Sequence, residues 1–134
     1  MQGHGSYQLN VVNQVVVCKI FGTWNKEAGE EYFLTLKGLT KNTVKKPWAM
    51  LFHLNEWGLG TPESDKVAVK TMQWLLTHNV KAVALIFTPN QLKSVHLEQL
   101  ASLSETNLNM QTFSNESDAV TWLTTQGFSL NPDE

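Results

Sequence analysis

The sequence predicts an α/β fold with a mostly parallel five-stranded sheet, an N-terminal hairpin and four helices. Short apolar runs alternate along the 134 residues with stretches of helical periodicity, which predicts the element order β-β-α-β-α-β-α-β-α. Cap residues stand before the helical stretches, and strands that alternate with helices favour parallel pairing. Apolar residues make up 42% of the chain, enough for a sizeable core, so we expect residues 1–134 to form one domain.

The first two strands are predicted at residues 7–12 and 15–21. Asn13 and Gln14 separate them and suit a two-residue hairpin turn, although the preferred Asn-Gly pair is absent. Asn25 is the predicted cap of the first helix, which we expect to end near Gly38 or Thr40. The apolar stripe of this helix consists of Ala28, Tyr32, Phe33, Leu36 and Leu39.

The third strand is predicted at residues 48–54, with a loop at 56–60. Thr61 and Pro62 then open the second helix as cap and first helical residue, and Asn79 is its stop signal. The residues predicted to line one face of this helix are Ala68, Met72, Leu75 and Leu76. The fourth strand follows at 81–87, where the run 82–87 is typical of a fully buried strand.

Thr88 and Pro89 repeat the helix-start pattern, and Gln91 stands at the spacing of a capping box. The predicted stripe of this third helix consists of Leu92, Val95, His96, Leu100 and Leu103. A weak fifth strand is predicted at 108–113. The last helix is predicted at 115–126, with Gly127 past its end, and its inward residues are Ala119, Val120 and Leu123.

Composition excludes several classes of function. The chain has no Arg, a net charge of −2 and no basic patch on the scale that nucleic acids need. The lone Cys18 lies in an apolar run and cannot form an intrachain disulfide. No apolar stretch approaches the ~20 residues of a membrane-spanning helix, and the first residues lack a signal-peptide pattern. We therefore expect a cytoplasmic protein without an integral membrane segment.

The predicted element order, the hairpin and the short length resemble the SpoIIAA-like fold, which includes the STAS domains. The resemblance covers residues 5–128. Two segments carry local similarity to small uncharacterised bacterial members: 21–25, which reads Phe-Gly-Thr-Trp-Asn, and 54–63, which reads Leu-Asn-Glu-Trp-Gly-Leu-Gly-Thr-Pro-Glu. The resemblance implies a regulatory module that binds another protein, as anti-sigma factor antagonists do.

Anti-sigma factor antagonists of this kind carry an Asp-Ser-Ser segment at the start of the helix after the third strand, and a partner kinase phosphorylates one of its serines. Here the segment reads Thr61-Pro62-Glu63-Ser64-Asp65. Ser64 and Thr61 are thus the candidate phosphoacceptors that the resemblance implies. Glu63 and Asp65 would oppose a phosphate at the helix N-terminus, so we expect a solvated Ser64 that stays unphosphorylated.

The loop at 55–64 is the main candidate binding site, because ligands of open α/β sheets bind beyond the carboxyl ends of the strands. An aromatic residue beside glycines and polar groups is a common composition of binding sites. The alternative is an ordinary strand-to-helix turn with Trp57 folded over the core. The candidate residues are His53, Asn55, Glu56, Trp57, Gly58, Gly60, Thr61 and Ser64.

A second candidate surface lies on the second helix. Trp74 falls outside the apolar stripe of that helix on a helical wheel, which makes it a candidate exposed residue with Val67 beside it. Exposed apolar groups that cluster often mark an interface. The alternative is that Trp74 packs against the edge of the core.

The catalytic and cofactor motifs that we considered are missing. The four histidines do not stand at zinc-ligand spacing, and Gly58 and Gly60 supply only half of a dinucleotide fingerprint. We therefore predict no metal, no cofactor and no catalytic residue. A catalytic pair of His53 and Glu56 remains the weakest alternative.

Three functions follow from these observations. The leading one is a non-catalytic binding or regulatory module whose partner is another protein or a second copy of the chain. The second is a carrier or sensor of a small apolar, lipid-like ligand, because distant relatives of the fold are associated with such ligands and the chain has five Trp and six Phe. The third is an enzyme that uses His53 and the following loop.

Overall fold

The computed structural model describes residues 4–42, 46–105 and 107–131. The sheet within these ranges has six strands rather than the predicted five. In chain order the elements are β1 (Ser6–Val12), β2 (Val15–Trp24), α1 (Lys26–Leu39), β3 (Trp48–His53), β4 (Trp57–Gly60), α2 (Pro62–Thr77), β5 (Val80–Ile86), α3 (Gln91–Ser104), β6 (Met110–Phe113) and α4 (Glu116–Thr125). The predicted α/β order is confirmed apart from the added strand β4.

The strands lie side by side in the order β1-β2-β3-β5-β6. The predicted hairpin is confirmed: β1 pairs antiparallel with β2, and Asn13 turns the chain with a φ of 54°. The pairs β2–β3, β3–β5 and β5–β6 are parallel. Parallel strands end at the same edge of the sheet, so the segments after β3 and β5 meet there.

Residues 57–60, which we predicted as a loop, form the short strand β4. This strand pairs parallel with the end of β2, where Gly22 lies opposite Trp57 and Trp24 opposite Gly60. For the same reason β2 extends past its predicted end at Phe21. Residues 22–24 and 57–60 are both too short to show the alternation of apolar and polar residues that predicts a strand. They are recognised as strands only because they pair with each other.

The sheet has one core on each face. Helices α1 and α2 cover one face, where the fully buried Trp48 and Met50 meet Tyr32 and Leu36. Helix α4 covers part of the other face and buries Leu123 against the sheet. The predicted burial of residues 82–87 is confirmed, because β5 lies between the two cores.

The predicted helix caps at Asn25 and Thr61 are confirmed, because each side-chain oxygen accepts a hydrogen bond from the backbone N–H three residues later. The predicted cap at Thr88 is wrong. Asn90 caps α3, with its Oδ1 accepting from the Lys93 N–H at 3.0 Å. The Thr88 N–H instead donates to Asn55 Oδ1 at 2.7 Å, so the chain turns into the helix two residues later than expected.

The predicted inward face of α3 is wrong in part. Leu100 is buried as expected, but Leu92, Val95 and Leu103 are exposed. Lys93 and His96 set the rotation of the helix: Lys93 Nζ donates to the Leu54 and Asn55 carbonyls, and His96 Nε2 lies 2.9 Å from Asp65 Oδ1.

Two other leucines that we predicted to face the core are exposed: Leu39 at the end of α1 and Leu76 near the end of α2. Each stands at the last turn of its helix, where Thr40 and Leu75 take the buried positions. Within the described ranges, no helix has both the length and the apolar character needed to cross a membrane.

Candidate functional site

The loop after β3 is fixed to the neighbouring strand-to-helix junction by hydrogen bonds. Lys93 Nζ donates to the Leu54 carbonyl at 2.7 Å and to the Asn55 carbonyl at 2.9 Å. The Asn55 side chain accepts from the Thr88 N–H. The carbonyl and the side-chain oxygen of Asn55, together with the Lys93 ammonium group, therefore hold the loop after β3 against the start of α3.

The sheet divides the predicted site residues between its two faces. His53, Asn55 and Glu56 border an open cleft of about 650 Å³ on the α4 side, together with Lys19 and Glu116. Trp57, Gly60 and Ser64 line a cavity on the side of α1 and α2. Because a sheet separates the two sets, the residues of the loop do not form one site.

Gly58 and Gly60 serve close packing in this structure. A Cβ at Gly58 would lie 2.8 Å from Thr23 Oγ1, and a Cβ at Gly60 would lie 2.9 Å from Ser64 Oγ. These approaches bring β4 against β2 and against the first turn of α2. The glycine-rich composition of the segment is therefore explained by packing.

Thr61 and Ser64 form the N-terminus of α2. Thr61 Oγ1 accepts from the Ser64 N–H at 3.2 Å, and the Thr61 N–H donates to the Trp24 carbonyl at 2.9 Å. The expectation of a solvated Ser64 is wrong, because this residue is only 6% exposed. Glycines on both sides, Gly29 and Gly60, let neighbouring backbone approach its hydroxyl.

His53 and Glu56 both border the open cleft beside α4, and the carboxylate that pairs with His53 there is that of Glu116. His53 lies on the α4 side of the sheet, and its Nε2 is 3.5 Å from Glu116 Oε1. The Glu56 carbonyl accepts from the Gly22 N–H at 2.9 Å. Among the described residues, no group of three His, Cys, Asp or Glu side chains is placed to bind a metal ion.

Trp74 is partly exposed and packs against the edge of the core, as the alternative interpretation has it. Its ring stacks on His78 with centroids 4.4 Å apart and meets the edges of Phe33 and Trp48 at 5.7 and 6.2 Å. Val67 faces α1, where a Cβ at Gly29 would lie 3.3 Å from it. Both residues therefore lie where α2 packs against α1 and the sheet. Both remain partly exposed, so an interface at Trp74 and Val67 stays a prediction.

The cavity on this side of the sheet has a volume of about 160 Å³. Side chains of the sheet and of α1, α2 and α3 line it, most of them are apolar, and the cavity is open to solvent on one side. Tyr32 contributes to the lining, and its hydroxyl lies 3.5 Å from the sulfur of the buried Cys18.

Burial raises the pKa of the Cys18 thiol to about 12, and the hydrogen bond with Tyr32 opposes this effect only in part. Burial, with the neighbouring thiol, also raises the pKa of Tyr32 well above its ordinary value. Both groups are therefore neutral at physiological pH. An unionised, buried thiol is a poor nucleophile, so Cys18 has the role of a small core residue.

A surface that the sequence did not predict lies on α3. Leu92, Val95 and Leu103 are 68%, 43% and 66% exposed, and at 100° per residue they fall within about 80° of one another. We call these three residues the α3 surface. The sequence does contain this stripe, but periodicity alone assigns it to the core. What separates the buried face of α3 from its exposed face is the set of contacts made by Lys93 and His96. Their partners, Leu54, Asn55 and Asp65, lie far away in the sequence.

No family model matches this sequence, and no curated protein sequence matches it. Solved structures do resemble it. A protein of the DUF3478 family with a SpoIIAA-like fold, from Shewanella loihica PV-4, superimposes with a TM-score of 0.68 at 17% identity, covering 92% of this chain and 96% of that one.

Two further neighbours are anti-sigma factor antagonists. SpoIIAA in its unphosphorylated form gives a TM-score of 0.61 at 14% identity, covering 89% of this chain and 98% of its own. An antagonist from Mycobacterium paratuberculosis gives 0.60 at 12% identity, covering 90% and 94%. The chain therefore has the SpoIIAA-like (STAS-like) fold, as its element order predicted.

Proposed function

We propose that this protein is a non-catalytic binding module that acts in the cytoplasm through protein–protein interaction, and that the α3 surface is where it binds. The observation that carries the proposal is the exposure of Leu92, Val95 and Leu103 on one face of a helix. Clustered exposed apolar side chains are typical of interaction sites on soluble proteins. The partner is another protein or a second copy of this chain.

The geometry of the α3 surface suits a partner that lies along the helix. Leu92 and Leu103 are eleven positions apart, about 16 Å at the helical rise of 1.5 Å per residue. Val95 lies between them on the same side. The adjoining side of α3 is held by Leu100 and by the contacts of Lys93 and His96, so the helix can present these side chains without loss of its own packing.

The fold supports the same proposal. Two of the structural neighbours are named as anti-sigma factor antagonists, proteins that by this description act on another protein. The weaker enzyme alternative would use the pair of His53 and Glu116, which lies in the open cleft beside α4.

Capture from an extract of the host organism tests the proposal. Three immobilised proteins are compared: the wild type, the double variant Leu92→Glu/Leu103→Glu, and Leu34→Glu as matched control. Leu34 is 66% exposed on α1, as exposed as Leu103, so the control places the same charge on another helix. Sedimentation velocity of the purified proteins tests association between copies.

We expect the wild type and Leu34→Glu to retain the same partner, or the same dimer, and the double variant to lose it. Melting temperatures of the three proteins should agree within about 2 °C, because surface substitutions usually change stability little. Equal capture by all three proteins would contradict the assignment of the α3 surface. Capture of nothing, with a monomer throughout, would contradict protein binding itself.

A further inference from the structure

The cavity between the sheet and helices α1, α2 and α3 has the properties of a ligand site. We propose that it binds an uncharged apolar molecule about the size of a single aromatic ring. This inference concerns the space between the sheet and these helices, so it does not depend on the α3 surface or on the proposed protein partner.

The chemistry of the lining selects for an apolar occupant. Leucine, valine, methionine and aromatic side chains from every surrounding element form most of the wall. Three polar side chains in the wall have partners within the protein: Thr71 Oγ1 donates to the Val67 carbonyl at 2.8 Å, Asp65 Oδ1 pairs with His96 at 2.9 Å, and the Tyr32 hydroxyl lies 3.5 Å from Cys18 Sγ. An ordered water needs two to four polar partners, so the interior of the cavity offers water little.

The size of the cavity limits the occupant. Its volume of about 160 Å³ is close to that of the engineered ~150 Å³ apolar cavity that binds benzene or xenon. Sites for drug-sized molecules have volumes of roughly 300–1,000 Å³. The volume therefore favours a single ring or a short alkyl group, and it excludes a long lipid chain from the cavity as it stands.

Packing supplies an independent argument. Natural cores contain few voids larger than a water molecule. Here the void lies beside Ala68 on α2, a position at which a larger side chain would reach into it. The small side chain at this position keeps the cavity open, as a binding site requires.

The cavity has a polar boundary where three elements meet. Trp57 of β4 and Asp65 of α2 both belong to the lining and are partly exposed. His96 of α3 contacts both, with its ring centroid 5.8 Å from that of Trp57 and its Nε2 on Asp65. A ligand in the cavity would contact Trp57, which provides a fluorescent reporter.

The test is a titration of the whole protein with toluene and, separately, with phenylacetate, followed by methyl NMR and by Trp fluorescence. We expect toluene to bind saturably and to shift methyl resonances of the lining residues Leu75, Val83 and Leu97. Phenylacetate has the same ring with a charge and should give no such shifts, because burial of an unpaired carboxylate is strongly unfavourable. Absence of saturable toluene binding to the wild type overturns the proposal.

Two matched variants locate the site. Ala68→Leu fills the cavity and should weaken toluene binding by about tenfold or more, since extra methyl groups leave no room for the ring. Ala101→Leu adds the same atoms to α3 outside the lining and should leave the affinity unchanged within about twofold. If both variants bind toluene equally well, the ligand occupies another place and the proposal is wrong. If Ala68→Leu does not fold, shifts in the wild type that avoid the lining methyl groups overturn it in the same way.

Discussion

Leu100 and Leu103 lie one turn apart on α3, yet they have opposite environments. Leu100 is 6% exposed and lines the cavity, whereas Leu103 is 66% exposed. The sequence pattern places both in one inward stripe. Replacing each with alanine in turn therefore tests the rotation of the helix on which the proposed function depends.

The expected losses of unfolding free energy differ severalfold between Leu100→Ala and Leu103→Ala. A buried Leu→Ala change costs about 2–5 kcal/mol, and Leu100 belongs in the lower half of that range because it already borders a void. We expect a loss of about 2–3 kcal/mol. With an unfolding entropy of about 2.1 cal/mol/K per residue, the 134-residue chain loses roughly 3.5 °C of Tm per kcal/mol, so Tm falls by about 7–11 °C. Leu103→Ala should change stability by less than about 0.5 kcal/mol, or about 2 °C.

Differential scanning calorimetry of the two variants beside the wild type measures both shifts. Urea titration gives the same comparison at a fixed temperature, and the m value checks that the two variants unfold to a similar state. Equal losses for Leu100→Ala and Leu103→Ala would refute the rotation of α3 and, with it, the α3 surface.

Three further predictions follow from packed side chains. Trp74→Ala should lower stability by about 2–3 kcal/mol without changing the sedimentation coefficient, because the ring packs on His78, Phe33 and Trp48 of the same chain; a change from dimer to monomer would show instead that it lies in an interface. Incubation with ATP and native host extract should leave Ser64 unphosphorylated because the residue is only 6% exposed, and a phosphopeptide that contains it would contradict this expectation. The Cys18 pKa of about 12, against 9.0 for an exposed thiol, means that its contribution to stability is full below pH 9 and is lost as pH rises to 12. Urea unfolding from pH 8 to 11 should show a weaker pH dependence for Cys18→Ala than for the wild type; equal slopes would contradict the assignment.

The fold was predictable where local signals and tertiary packing agree. The run 82–87 is apolar throughout and forms the strand between the two cores. Asn25 and Thr61 act as caps through hydrogen bonds that span three residues, so the information lies within the segment. Asn13 turns the hairpin for the same local reason.

The errors occur where distant residues decide the outcome. Strand β4 exists because residues 57–60 pair with the end of β2, and neither segment has strand character alone. The face of α3 depends on Lys93 and His96, whose partners Leu54 and Asp65 precede them by more than thirty positions. The cap of α3 shifts because Asn55 engages Thr88. The periodicity of apolar residues within a helix cannot predict contacts with residues that are distant in the sequence.

For the candidate loop at 55–64, too, the sequence predicts the position in the fold but not the tertiary contacts. The sequence predicts correctly that residues 55–64 follow β3 at the carboxyl edge of the sheet. It does not predict that Gly58 and Gly60 are required for packing, or that His53 and Trp57 lie on opposite faces. Composition alone cannot distinguish a glycine that admits a ligand from one that admits a neighbouring strand.

Hydroxyl-radical footprinting tests the central claim most directly, because it reports the exposure of individual leucine side chains in the free protein and in the captured complex. We predict that Leu92 and Leu103 are labelled in the free protein and protected in the complex, while Leu34 is labelled equally in both. Protection of Leu34, or of the open cleft beside α4, with unchanged labelling of Leu92 and Leu103 would show that the partner binds elsewhere and would contradict the account.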